Sequence, residues 1–95
     1  MELIGMIISQ SPLQQREYTD RNGQQQVFSS VGFELKSGTD RFYAELTGEQ
    51  AVKCTALPQN YYYKIEMRAR TRRWTDQQGK EHIDQTLTIL NIETL

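Results

Sequence analysis

The chain contains one cysteine, Cys54, and one histidine, His82. A lone cysteine excludes an intramolecular disulfide framework, and so few soft ligands exclude a Cys/His-rich metal site. The same scarcity disfavours most hydrolase arrangements, and nothing around a Cys54–His82 dyad resembles a nucleophile elbow. Neither a GxGxxG fingerprint nor a P-loop occurs, so no nucleotide cofactor is implied. No apolar run approaches the ~18 residues that a membrane span needs. The opening Met1-Glu2-Leu3-Ile4 lacks the basic flank and cleavage site of a secretory signal. These absences point to a cytoplasmic binding domain that is not an enzyme, carries no cofactor or metal, and does not engage a membrane.

What is present is 95 residues, 37% hydrophobic and 24% charged. That length fits a single domain, residues 1–95, with one shallow core. Polar and apolar residues are interleaved, which argues against disorder. The formal net charge is −1, from 11 basic and 12 acidic residues. Domains that bind nucleic acid through global charge are strongly basic, so any such binding must come from charge placement. Four of the seven arginines fall between Arg68 and Arg73. From Tyr61 to Trp74 the basic residues are Lys64, Arg68, Arg70, Arg72 and Arg73, against one acid, Glu66. A neutral protein with one basic stripe can still make salt-sensitive phosphate contacts.

Period-2 alternation dominates, broken by turn residues at the spacing of a small β-barrel. A first strand runs from Glu2 to about Gln14, apolar on both faces, with Gly5 placed to permit a bend and Pro12 at an edge or bulge. Asp20-Arg21-Asn22-Gly23 is a tight-turn signal, and the polar segment Gln14–Gln26 around it reads as a mobile hairpin loop. A second strand, Val27–Lys36, turns Val27, Val31, Phe33 and Leu35 inward with Ser29, and Phe28, Ser30, Gly32 and Glu34 outward. A third, Arg41–Thr47, buries Phe42, Ala44 and Leu46 and exposes Tyr43. Gly48–Leu57 is the only plausible helix, two turns long, burying Val52, Ala56 and Leu57 and stopped by Pro58. A fourth strand spans Asn60–Trp74, a polar turn Thr75–Glu81, and a fifth strand His82–Ile92. Leu87 and Ile89 on one face with Leu90 and Ile92 on the other predict a late bulge.

The expected fold is therefore all-β: a five-stranded barrel with one short helix between strands three and four. That order matches the oligonucleotide/oligosaccharide-binding (OB) fold better than an SH3-like barrel, which normally lacks such a helix. In the fourth strand Tyr63, Ile65, Met67, Ala69 and Thr71 read as the core face. Tyr62, Lys64, Glu66, Arg68, Arg70, Arg72 and Trp74 share the other. Same-face neighbours are about 6.6 Å apart, comparable to successive phosphates of an extended single strand. Arginine binds each phosphate through charge-assisted bonds, and Trp74, with Tyr43 and Phe28, offers flat surfaces for bases. Blander roles compete: Trp74 as a barrel cap, the arginines as a solvated face, Tyr61-Tyr62-Tyr63 as core and subunit interface. Cys54 reads as a small buried hydrophobe on the helix, and His82 as the opening residue of the fifth strand.

Arg70-Thr71-Arg72-Arg73-Trp74-Thr75-Asp76-Gln77-Gln78-Gly79-Lys80-Glu81 resembles the fourth-strand-to-hairpin segment of bacterial single-stranded DNA-binding proteins, an R-T-R-x-W stretch followed by a polar Asp/Gly turn. Arg16…Asn22-Gly23 with Val27…Phe33 resembles that family's first hairpin and second strand. Leu46-Thr47-Gly48-Glu49-Gln50-Ala51 is similar to its third strand entering the helix. The resemblance implies that Trp74 stacks on a base and that Arg72 and Arg73 lie beside the DNA path. Thr47 and Arg41 stand where the family usually has aromatics, so half the stacking platform is absent or passes to Phe42 and Tyr43. The chain ends at Leu95 without an acidic-tipped tail, which resembles the primosomal replication proteins of the same fold. Leu3-Ile4-Gly5 and Ser11-Pro12-Leu13 are similar to that branch as well.

Two functions follow as expectations. One is sequence-independent binding of single-stranded DNA, with RNA an open alternative, in replication, repair or recombination. The other is a protein-interaction or adaptor module without nucleic-acid affinity. A core this small and a tyrosine-rich apolar segment also predict a homo-oligomer, a dimer or tetramer.

Overall fold

The computed structural model describes residues 1–95. In chain order it contains β1 (Glu2–Gln10), β2 (Gln14–Thr19), β3 (Gln25–Ser37), β4 (Asp40–Thr47), α1 (Glu49–Lys53), β5 (Tyr62–Thr75) and β6 (Glu81–Thr94). The strands form one sheet in the order β1-β5-β6-β4-β3-β2, and β1 also pairs with β3. β1 achieves this by dividing its length. Glu2–Met6 lie on β5, and Met6–Gln10 lie on β3, with a register shift between Ile7 and Ser9. The hydrogen bonding thereby returns on itself in a ring. All pairs are antiparallel except β4 with β6, which meet in parallel at Glu45 and Thr88.

Alternation places the core inside that ring. Ile7, Val31, Phe33, Leu35, Ala44, Leu46, Ala51, Tyr63, Ile65, Met67 and Ile89 are buried together. The Tyr63 hydroxyl donates to the Pro58 carbonyl at 2.9 Å, so its polar end is satisfied. Gln10 fastens the segment after α1. Its amide nitrogen donates to the Thr55 carbonyl at 3.0 Å, and its amide oxygen accepts the Leu57 N–H at 3.0 Å. The late bulge is real. The β5–β6 register shifts after Glu66, so that Ile65 faces Ile92 while Met67 faces Ile89, and both isoleucines reach the same interior.

Four expectations change. The first strand stops at Gln10, ahead of Pro12, and the strands number six because Gln14–Thr19 forms a further one. Gln14–Gln26 is not a mobile loop: Gln14–Thr19 pairs residue by residue with Gln25–Ser30. The residues of β2 are polar because both of its faces are exposed, and Val27, paired with Glu17, is open to solvent rather than inward. The helix is five residues long, ending at Lys53, and buries Ala51 while Val52 and Ala56 stay exposed. Cys54 is its half-buried C-cap. Finally, the core face of β5 stops at Met67, and Ala69 and Thr71 are exposed.

The last change has a geometric cause. β1 pairs with β5 only from Tyr62 to Glu66, and β4 pairs with β6 only at Thr88. Beyond those points β5 and β6 continue as a two-stranded arm to a turn at Asp76–Lys80. The radius of gyration is 15.5 Å, above the about 12 Å of a compact chain this long, as two projecting hairpins require. Met67→Ala should cost about 2–5 kcal/mol of stability. Thr71→Glu, four residues further along the same face, should change it by less than about 0.5 kcal/mol. Urea denaturation of both variants checks where the core ends; a large loss in Thr71→Glu would put the arm against a packed layer.

Candidate nucleic-acid interface

Residues paired across a ladder point to the same side of the sheet. The register therefore connects Arg16 to Phe28, Ser30 to Thr47, Gly32 to Glu45, Glu45 to Thr88 and Thr88 to Arg68. Phe28, Tyr43 and Arg68 accordingly lie on one outward face that runs across β2, β3, β4, β6 and β5. With strands about 4.8 Å apart, that face is about 19 Å wide. Tyr43 is 62% exposed. Its ring lies against Gly32, where an added Cβ would collide with the phenol. The glycine thus lets the tyrosine lie down on the sheet, with its outer ring face open.

The arginine stripe starts on this face and leaves it along the arm. Arg68, Arg70 and Arg72 stand opposite Thr88, Thr86 and Asp84, and Trp74 stands opposite His82. Trp74 is six residues beyond Arg68, about 20 Å along the strand. It belongs to the arm and caps no core. Arg73 faces Ile83 on the arm's reverse side, so it does not share a face with the other three. Lys64 lies on β5 in the body, and its ammonium meets Glu2 at 3.6 Å. Both partners are exposed, so the pair contributes at most about 1 kcal/mol. The ion pairs of the molecule are Arg41–Glu34 and Lys64–Glu2, with the His82–Asp76 contact a third when the imidazole is protonated. None of Arg68, Arg70, Arg72 or Arg73 has a carboxylate within 4 Å.

Asp84 explains part of that. It faces Arg72 across the ladder, but its carboxylate accepts the Trp74 indole N–H at 2.8 Å. The other side of the indole stacks on the His82 ring, with centroids 4.3 Å apart and planes 18° from parallel. Trp74 is therefore held in one orientation, 38% exposed, with one ring face occupied. His82 is held in turn by the Asp76 carboxylate at 2.8 Å. The sequence reading assigned His82 no role beyond opening a strand. Its position directly across the turn from Trp74 was the available signal.

Asp76 is also the keystone of the arm's turn. One of its oxygens accepts the N–H groups of Gln78 and Lys80, both at 2.9 Å. The same loop closes the β2–β3 hairpin, where Asp20 accepts from Asn22 and Gln24 at 2.9 Å. The segments Thr19-Asp20-Arg21-Asn22-Gly23 and Thr75-Asp76-Gln77-Gln78-Gly79 share this build, with Gly23 at φ 79° and Gly79 at φ 81°. The N–H of Gln24, ahead of the Gln26 amide and the Asn22 N–H, holds the Asp20 carboxyl below the usual range. His82 and then the Lys80 N–H do the same to Asp76.

Cys54 and His82 share no partner. The Cys54 sulfur lies 3.6 Å from the Gln10 amide nitrogen, and burial pushes its thiol up, away from the nucleophilic thiolate. A scan of the chain against protein-family models finds no match, and a search of curated proteins finds none.

A carboxyl whose folded-state pKa is lowered stabilises the fold fully above its ordinary value and loses that contribution as pH falls through the lowered one. The ordinary value for Asp76 is 3.8. Trp74 emission should therefore change as the pH falls below that ordinary value and the turn loosens. Asp76→Asn keeps an amide oxygen for the two N–H groups, so its acid response should be flattened. Superimposable titrations of the two proteins would contradict this assignment.

Proposed function

We propose that the chain is an OB-fold domain that binds single-stranded DNA in replication, repair or recombination. In this reading β1 and β2 are the two halves of one bent strand, and the ring order with a helical turn before β5 supports the assignment. Affinity comes mainly from arginine–phosphate contacts and aromatic stacking, so most of it does not depend on base sequence. The observation that carries the reading is the row Arg68, Arg70 and Arg72. They stand at two-residue spacing on one strand face, without carboxylate partners, and lead from Tyr43 and Phe28 to an oriented Trp74. Four guanidiniums left free on a chain of net charge −1 have strong polyanion chemistry available to them.

A second reading has an observation of its own. From Arg68 to Thr75, β5 has no neighbour on the side away from β6. Charged residues on an open strand deter edge-to-edge pairing, and the arginines would then be guards on an adaptor domain with no taste for nucleic acid.

Titrating a fluorescent oligo-dT at two salt concentrations separates the two. The single-strand reading expects binding at low salt that weakens at high salt, with quenching of Trp74 emission. Trp74→Ala should weaken binding by about 1–3 kcal/mol while the body melts as before, since the side chain lies on the arm. Absence of oligo-dT affinity at low salt would favour the guarded-edge reading.

A further inference from the structure

Across β2, β3 and β4 on the outward sheet face, Gln14, Gln15, Arg16, Phe28, Ser30 and Glu45 line an open cleft of about 430 Å³. That volume is within the range of small-ligand pockets. One wall is the Phe28 ring, with the Arg16 guanidinium 5.7 Å from its centroid. Glu45 lines the same cleft. Glu45 forms no ion pair and accepts no side-chain hydrogen bond, although a guanidinium lines the same cleft. Gln14 likewise has no side-chain partner, whereas the Gln15 amide is engaged by the Ser29 hydroxyl at 3.2 Å.

A free carboxylate is out of place on a surface built to attract phosphates. A phosphate beside it would be repelled, so a single strand crossing the face must present something else at this point. A base can stack on the flat wall that Phe28 and Arg16 provide. In the same cleft the Glu45 carboxylate offers acceptors only. Thymine presents one N–H between two carbonyl oxygens, and those oxygens oppose a carboxylate. Adenine and cytosine present one amino group next to a ring nitrogen acceptor. Guanine alone presents two adjacent donors, N1–H and the 2-amino group, which match the two carboxylate oxygens. The free Gln14 amide can donate to guanine O6.

We propose that this cleft is a base-reading pocket selective for guanine, one position of discrimination on an otherwise sequence-tolerant surface. The inference rests on the single-strand reading above and refines it. A bidentate base contact contributes about 1–3 kcal/mol of discrimination, so a preference of about tenfold is expected.

The test compares oligo-dT of about fifteen nucleotides, near the upper end of single-domain site sizes, with the same strand carrying one central guanine or one central inosine. A single guanine cannot form a quadruplex. Anisotropy titrations at low salt should show the guanine strand binding about tenfold tighter than oligo-dT. Inosine lacks the 2-amino group and should lose most of that gain. In Glu45→Gln the guanine preference should fall within about twofold, and oligo-dT should bind more tightly because a repelling carboxylate is gone. The variant's melting curve should match the parent's, since Glu45 has no partner to lose. Equal affinity for the guanine and thymine strands overturns this inference alone, as does a preference that survives Glu45→Gln or is kept by inosine. Failure of every strand to bind overturns the single-strand reading and this inference with it.

Discussion

Past Met67 and Leu87 the β5–β6 ladder has no core to lie on, and the character of the molecule follows from that. A two-stranded hairpin in water is marginal on its own. This one is held at both ends. At its base the strands are continuous with the hydrogen-bonded ring, where Tyr63, Ile65, Met67 and Ile89 are packed. At its tip, Asp76 gathers two backbone N–H groups and the His82 ring, and His82 in turn stacks on Trp74. Between those anchors the side chains are released from packing. Four arginines can occupy the arm at little structural cost because nothing there must be buried.

The body and the arm thus divide the surface. The body contributes a sheet face on which Gly32 lets Tyr43 lie flat, with Phe28 and Arg16 at its far edge. The arm contributes a row of cations ending in an indole whose N–H and one ring face are already committed. Committing them costs exposed surface but sets the ring's orientation in advance. A pre-oriented side chain loses less conformational freedom when a ligand arrives. The same logic separates Lys64, which is on the right strand but answers Glu2.

Much of this was legible in the amino-acid sequence, for physical reasons that differ by element. The inward sets of β3 from Ser29 to Leu35, and of β4, were readable because one face is buried and the other is not, which is where alternation carries information; Val27 lies outside that stretch and is exposed. The bulge in β6 was readable because Leu90 breaks the alternation between Ile89 and Ile92. β2 was not readable: Gln14–Thr19 is solvated on both faces, so a paired strand and a polar loop have the same composition. Ala69 and Thr71 failed for the converse reason. Alternation tells which side a residue is on, not whether another layer covers that side. Val52 and Ala56 misled because two turns of helix were inferred from Pro58, whereas the chain leaves helical geometry at Cys54. Of the candidate site, the arginine spacing and the outward Tyr43 and Phe28 came from the pattern. The clamp on Trp74 did not, because His82 and Asp84 are brought to it only by the hairpin register.

The central claim is that the arm's arginines neutralise phosphates, and the salt dependence of binding measures that most directly. For single strands the log–log slope of affinity against salt is about −0.7 per phosphate neutralised. Replacing Arg70 and Arg72 together by Gln should make the slope shallower by about 1.4, with the melting curve unchanged because both side chains are exposed. A double variant that binds oligo-dT with the parent's slope would contradict the account and move the strand's path off the arm.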